Sequence, residues 1–207
     1  MLRSWVPELR PLVVVTFALF VITAVVYPLA VTGVAQVVFP RQANGSLVKV
    51  DGETVGSSLV GQQFTEAYYF HGRPSAAGDG YDAAASSGSN LGPTSDRLLN
   101  GSVGEDSSDG VAQRVQAFRE ENGLSSDVEV PADAVTASAS GLDPHVSPAT
   151  ARLQVARVAS ARHVDAEAIR NLVESHIEDP FLGIIGEPRV NVLKLNIALD
   201  KEFPLEK

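Results

Sequence analysis

The stretch PLVVVTFALFVITAVVYPLAVTGVAQVVFP, residues 11–40 of 207, decides how this chain is organised. It contains no charged residue, while all but one of the 25 acidic and all but two of the 16 basic residues lie on its C-terminal side. A helix needs about 20 apolar residues to cross the hydrocarbon core of a bilayer, and residues 12–31 reach that length without their flanks. The reading is a short tail at 1–10, a transmembrane anchor over 11–39 with its core at 12–31, and a soluble domain over 40–207. A cleaved secretory signal is the rival, because Arg3 and Arg10 precede the run and Gly33-Val34-Ala35 has the small residues of a cleavage site. A signal's apolar region spans only about 7–15 residues, which favours the anchor.

Orientation follows less directly from charge. Arg3 and Arg10 lie before the run, and Arg41 and Lys49 soon after it, so the positive-inside count nearly ties. The terminal amine tips it toward N-terminus inside and domain outside. Within the span, Thr16, Phe20, Thr23, Tyr27 and Ala30 recur at four- and three-residue steps, which places them on one helix face. Hydroxyls and small residues on one face suit contact with a second membrane helix. The alternative is that the threonines bond their own backbone and the stripe faces lipid. Pro28 removes a backbone donor and is expected to kink the helix.

The soluble part is acidic, and the whole chain carries a formal net charge of −9. Nucleic acid is excluded as a partner, because phosphate contacts need clustered Lys and Arg. An acidic domain also does not lie flat on anionic lipid. There is no cysteine, hence no disulfide framework, thiolate zinc site or cysteine nucleophile.

The fold class expected is mixed α/β with a single N-terminal transmembrane helix. Leu47, Val48 and Val50 before Asp51-Gly52, with Val55 beyond, predict a hairpin. Residues 75–94 are rich in Gly, Ala and Ser, yet they hold Tyr81 and read as a long irregular loop packed on the surface. A second, acidic loop is expected at 100–110. Ser95 caps a short helix, a helix runs from Val111 to about Asn122, Ser147-Pro148 opens a helix through Ala161, and Asp165 caps another. Arg152, Arg157 and Arg162 fall five apart and so do not form a basic stripe. Residues 190–199 read as an alternating strand with a bulge at Val192-Leu193.

Catalytic constellations are weak. Asp143, His145 and Ser147 lie too close together in one turn to converge on one reacting atom, and no Gly-x-Ser-x-Gly elbow is present. His71, Asp143 and His145 would make a metal site only if the fold joined them, and the expectation is no metal. The sequence has no P-loop and no Asp-Lys-Thr-Gly phosphorylation motif, so nothing marks it as an ATPase by itself. A tethered ion- or solute-binding module and, less favoured, a tethered hydrolase are the alternatives to an interaction subunit.

Several blocks follow one another in order: Gln42-Ala43-Asn44-Gly45-Ser46-Leu47, Gly56-Ser57-Ser58-Leu59-Val60-Gly61-Gln62, Tyr69-Phe70-His71-Gly72-Arg73-Pro74-Ser75-Ala76, Ser87-Gly88-Ser89-Asn90-Leu91, Ser138-Ala139-Ser140-Gly141-Leu142-Asp143 and Pro188-Arg189-Val190-Asn191-Val192-Leu193. Together they resemble the C subunit of the bacterial Kdp potassium-transporting ATPase over essentially the whole chain. The resemblance implies a non-catalytic subunit of the inner membrane with its domain outside. Its implied partners are a channel-like A subunit, a P-type B subunit that hydrolyses ATP, a small F subunit and the bilayer. It further implies a role in assembly and as a catalytic chaperone that raises the pump subunit's ATP affinity, with Gln154 matching a glutamine linked to nucleotide. ATP is then a cofactor only through the pump subunit.

Overall fold

The structure, a computed structural model, describes residues 6–102 and 110–205. The acidic loop expected at 100–110 falls mostly on 103–109, outside the described residues. The chain divides into two units, one reaching to Leu47 and one starting at Val48.

The first unit is helical. Helix α1 (Val6–Val21) passes into a π-helical turn (Ile22–Val26) and on into α2 (Tyr27–Val38), followed by the single turn α3 (Pro40–Ala43). The helix starts earlier than the charge pattern alone indicates, because Pro7 is tolerated and Glu8 is favourable in a first turn. From Pro7 to Val38 it is long and apolar enough to cross a membrane, with a mean hydropathy of 2.6 in its most apolar window and none of that window buried. The expected kink at Pro28 takes the form of the π turn: the N–H of Tyr27 donates five residues back, to Ile22 O. Proline has no N–H to give Ala24, and its ring would clash with that carbonyl in a regular helix, so the wider turn accommodates it. An extra residue in one turn rotates the downstream helix by about 100°. Thr16 and Phe20 therefore lie on one line, Tyr27 and Ala30 on another, and Thr23 within the turn.

In the second unit, β1 (Leu47–Val50) and β2 (Glu53–Ser57) form the expected hairpin. Its turn places Asp51 at φ 50° and Gly52 at φ 87°, the two positive values that a two-residue turn of matching twist requires. Three short elements come after the glycine-rich loop: α4 (Asp96–Asn100), capped by Ser95, α5 (Val111–Glu121) and α6 (Ala132–Val135). Strand β3 (His145–Val146) leads into α7 (Pro148–Arg162), where Ser147 accepts from the N–H of Thr150. Asp165 caps α8 (Ala166–Ser175) in the same way through Glu167. The chain closes with β4 (Ile177–Glu178), β5 (Arg189–Asn191) and α9 (Val192–Glu202).

Strand β5 is the middle of an antiparallel sheet ordered β3-β5-β4, pairing Val190 with both Val146 and Ile177. Val190 is accordingly inaccessible to solvent, and α7, α8 and α9 pack with it into one core of Val155, Val158, Ile169, Val173, Leu195 and Leu199.

Residues 190–199 correct the sequence reading, since only their start is strand. Asn191 ends β5 and accepts from the N–H of Lys194, which makes it the cap of a helix. Val192, Leu193, Leu195, Asn196 and Leu199 are then buried at helical spacing. The apparent bulge at Val192-Leu193 is the change of period from two to 3.6. Asn191 also donates to Ser58 O at 2.9 Å while almost fully buried. Asn191→Ala removes a cap and a buried hydrogen bond and should cost about 2–3 kcal/mol in denaturant unfolding of the full chain. Asn191→Asp, which keeps the cap oxygen, should recover part of that loss.

Candidate functional site

Residues 67–73 cross the domain without belonging to a helix or strand, so their backbone groups need other partners. Four side chains from α7 and α9 supply them. Asn196 accepts from the N–H of Phe70 at 2.9 Å and donates to its carbonyl at 3.0 Å. Gln154 does the same for the next residue, accepting from His71 N–H at 2.7 Å and donating to His71 O at 3.1 Å. Each carboxamide thus imitates a neighbouring strand for one residue. Arg157 donates to the carbonyls of Ala67 and Tyr69, and Arg162 to that of Tyr68.

Helix α7 positions three of these groups. Its buried face runs Thr150, Ala151, Gln154, Val155, Val158, Ala159 and Arg162; polar and charged members sit among the apolar ones. Arg152 points away to an exposed pair with Glu174. The three arginines do rotate around the helix as expected, but no local pattern marks two of them as turning inward. The Arg162 side chain is 1% exposed, pairs with Asp200 at 2.6 Å and lies over the rings of Tyr68 and Tyr69. Tyr69 in turn donates to Asp200 at 2.8 Å, and burial together with that bond pushes its hydroxyl up to about 12. Burial holds the Arg157 guanidinium below its ordinary value, with Glu121 opposing the shift.

Gln154, the residue singled out by the family resemblance, is 1% exposed. Its oxygen also accepts from Arg157 at 2.7 Å, and its nitrogen also meets Thr150 O at 3.4 Å. Both ends of the amide are therefore occupied by this chain.

Three of the blocks that carry the resemblance meet beside this clamp. Arg73 binds Asp143 at 3.1 Å and the carbonyls of Thr136 and Ala137. Ser75 donates to Gly141 O at 2.7 Å and accepts from Tyr81 N–H, while the Tyr81 hydroxyl donates to Arg73 O at 2.6 Å. Gly141 sits at φ 68°, and a Cβ there would stand 2.4 Å from Ser87 O. Glycine is required at that crossing on both counts. The loop at 75–94 is irregular and packed, as expected, with Tyr81 as its peg.

Among the described residues Asp143, His145 and Ser147 form no hydrolytic arrangement. Ser147 caps α7 and donates to Asp133 at 3.0 Å. Asp143 takes the backbone N–H of His145 and the Arg73 guanidinium, and His71 pairs with Glu121 at 2.7 Å. Among the described residues no three His, Asp or Glu side chains are grouped to hold a metal ion. A groove of about 670 Å³ between the β1–β2 hairpin and α9 counts Lys49, Asp51, Asp200 and Lys201 among its lining residues. Among the described residues no Ser, Thr, Cys or His lines it. In the first unit, Thr23 donates to Leu19 O at 2.8 Å, the own-backbone bond of the alternative reading, and Thr16, Phe20, Tyr27 and Ala30 are exposed.

Comparison with known proteins gives a consistent result. The model of the family described as KdpC, K+-transporting ATPase, c chain, matches residues 9–201. The potassium-transporting ATPase KdpC subunit of Mycobacterium tuberculosis is 54% identical over 201 residues, covering 97% of this chain and all of the relative. The subunits of the same name from Gemmatimonas aurantiaca and Caulobacter vibrioides are 54% and 52% identical, over 93% and 95% of this chain and 92% and 94% of their own.

Three partly buried carboxyls of the domain lie below their usual range. For Glu121 the hydrogen bond from His71 dominates; for Asp143 and Glu178 burial acts upward but is outweighed by bonds from His145 and Lys194 respectively. Each has a lower pKa folded than unfolded, so its contribution is complete above the ordinary carboxylate range and is lost as pH falls through the folded value. Unfolding of the full chain should show level stability down to about pH 5 and a decline below it. Glu121→Gln should flatten the part of that decline that Glu121 carries, as read from unfolding midpoints across the pH series.

Proposed function

The chain belongs to the KdpC family, the c chain of potassium-transporting ATPases, and from that premise we propose that it is the non-catalytic accessory subunit of a high-affinity potassium uptake complex. In this reading it stabilises the assembly of a channel-like A subunit, a P-type B subunit and a small F subunit. It raises the pump subunit's affinity for ATP without touching the nucleotide. It is a single-pass protein of the bacterial inner membrane, with its N-terminus inside and its domain outside, and Thr16, Phe20, Thr23, Tyr27 and Ala30 face partner helices across the π turn.

The observation that carries the indirect route is the Gln154 amide, 1% exposed and bonded at both ends to the chain's own backbone and to Arg157. A nucleotide would have to strip His71 of two hydrogen bonds to reach it, and a buried polar group left unpaired costs about 1–3 kcal/mol. Gln154 acts instead by holding residues 67–73, and Asn196 is its equivalent one residue earlier.

That equivalence gives the test. Gln154→Ala and Asn196→Ala should each destabilise the subunit by about 1–3 kcal/mol. Both should shift the assembled complex's KM for ATP in the same direction. A shift with Gln154→Ala and none with the equally destabilised Asn196→Ala would establish nucleotide contact and defeat the indirect reading.

Topology is checked separately. In right-side-out vesicles an added protease should remove the domain beyond residue 47; protection there, with cleavage in inverted vesicles, would place it inside.

A further inference from the structure

Between β4 and β5 the chain makes a tight arm whose tip is Phe181-Leu182-Gly183-Ile184-Ile185. Its four large apolar side chains are 65%, 75%, 82% and 58% exposed. A soluble surface rarely keeps a contiguous apolar patch of this kind without a partner. The root of the arm is fixed: Ile177 and Glu178 pair with Val190 and Arg189 in the sheet, and the Glu178 carboxylate binds Lys194 at 2.6 Å and Arg189 at 3.3 Å. The tip is turned on itself, with Phe181 and Ile185 exchanging both backbone hydrogen bonds at 2.9 and 3.0 Å. Leu182 is held at φ 54°, a conformation that a bulky side chain rarely adopts.

The closed backbone decides the mode of contact. With the N–H and C=O groups of Phe181 and Ile185 paired to each other, the tip is not an open template for strand addition, so its side chains are what a partner must take up. The flanks decide the partner. Asp179 and Glu187 are exposed on either side of the tip. Anionic headgroups would meet those carboxylates unfavourably, and the tip has neither the Trp or Tyr nor the unpaired Lys or Arg of a membrane-interface anchor. A two-fold contact between copies of this chain would set the same acidic flanks against each other. An apolar pocket with a basic rim on a different protein satisfies both the tip and its flanks.

We propose that the 181–185 tip is a plug that docks into an apolar, basic-rimmed pocket on another chain of the transport ATPase. The proposal rests on the family reading above, which supplies the complex. The test uses the full chain, tagged and co-expressed with the other chains of the complex. Leu182→Ser with Ile184→Ser should lower their recovery with the tag by about tenfold or more, while the variant's thermal unfolding stays unchanged because both residues are exposed. In parallel, a photo-reactive amino acid at Ile184 in the otherwise unaltered complex should cross-link to one other ATPase chain. Recovery at the normal level, or cross-links only to lipid or to a second copy of this chain, would overturn the plug. If the unsubstituted chain itself recovers no ATPase chain, the family-based reading fails, and the plug fails with it. If it does and the variant matches it, only the plug fails.

Discussion

The domain depends on the exchange of hydrogen bonds between two buried carboxamides and a segment that has no secondary structure of its own. Residues 68–73 are half-buried around the fully buried Phe70, and a peptide group left unpaired there is costly. A sheet would satisfy that segment with another strand; here Gln154 and Asn196 each take one full residue, and Arg157 and Arg162 take the carbonyls between. Among the described residues no buried side-chain nitrogen or oxygen is without a partner. A network satisfied to that degree stiffens the core and admits one arrangement, and removing any one member strands the others. The same physics explains why Phe70 is 1% exposed although it lies in a stretch of irregular backbone. The clamps on Phe70 and its neighbours hold its ring against α7 and α9.

From that fixed segment the rest of the irregular chain is ordered in turn. Arg73 comes directly after the clamped stretch and ties Asp143 and two carbonyls of the 136–137 turn. Ser75 and Tyr81 then hold the glycine-rich loop against Gly141. A composition of Gly, Ala and Ser cannot bury enough apolar surface to order itself. It is ordered here because each anchoring bond ends on a backbone carbonyl whose position is already set.

The features legible in the sequence are those that local chemistry decides. Ser95, Ser147 and Asp165 are caps recognisable by type and position, and Asp51-Gly52 names its own turn, because both signals act within three residues. The last strand is misread because Leu195 and Leu199, four apart, suit either period, and only burial on a single face shows that the helix starts at Val192. The clamp is hidden for a different reason. Gln154 and Asn196 meet partners 83 and 126 residues away, and no local pattern records a distant peptide. The available sign was a carboxamide set among apolar residues on a helix face at each position. For Gln154 the resemblance supplied a residue but not its physical role.

The internal use of polar groups also shapes how this subunit meets others. Gln154, Asn196, Arg73, Arg157 and Arg162 are all spent on the domain's own backbone and carboxylates, so they have little directional bonding left to offer a partner. The conspicuous apolar surfaces that remain are the anchor helix and the 181–185 tip. Contacts of that type gain their free energy from removing apolar area from water or from packing in lipid, and neither is directional. Discrimination must then come from shape and from repulsion of wrong partners. In the proposed contacts the π turn, which divides the anchor's stripe into two lines, supplies the first, and the carboxylates beside the tip supply the second. A subunit built this way keeps its directional bonds inside, and in the proposed contacts its partners provide the complementary charge.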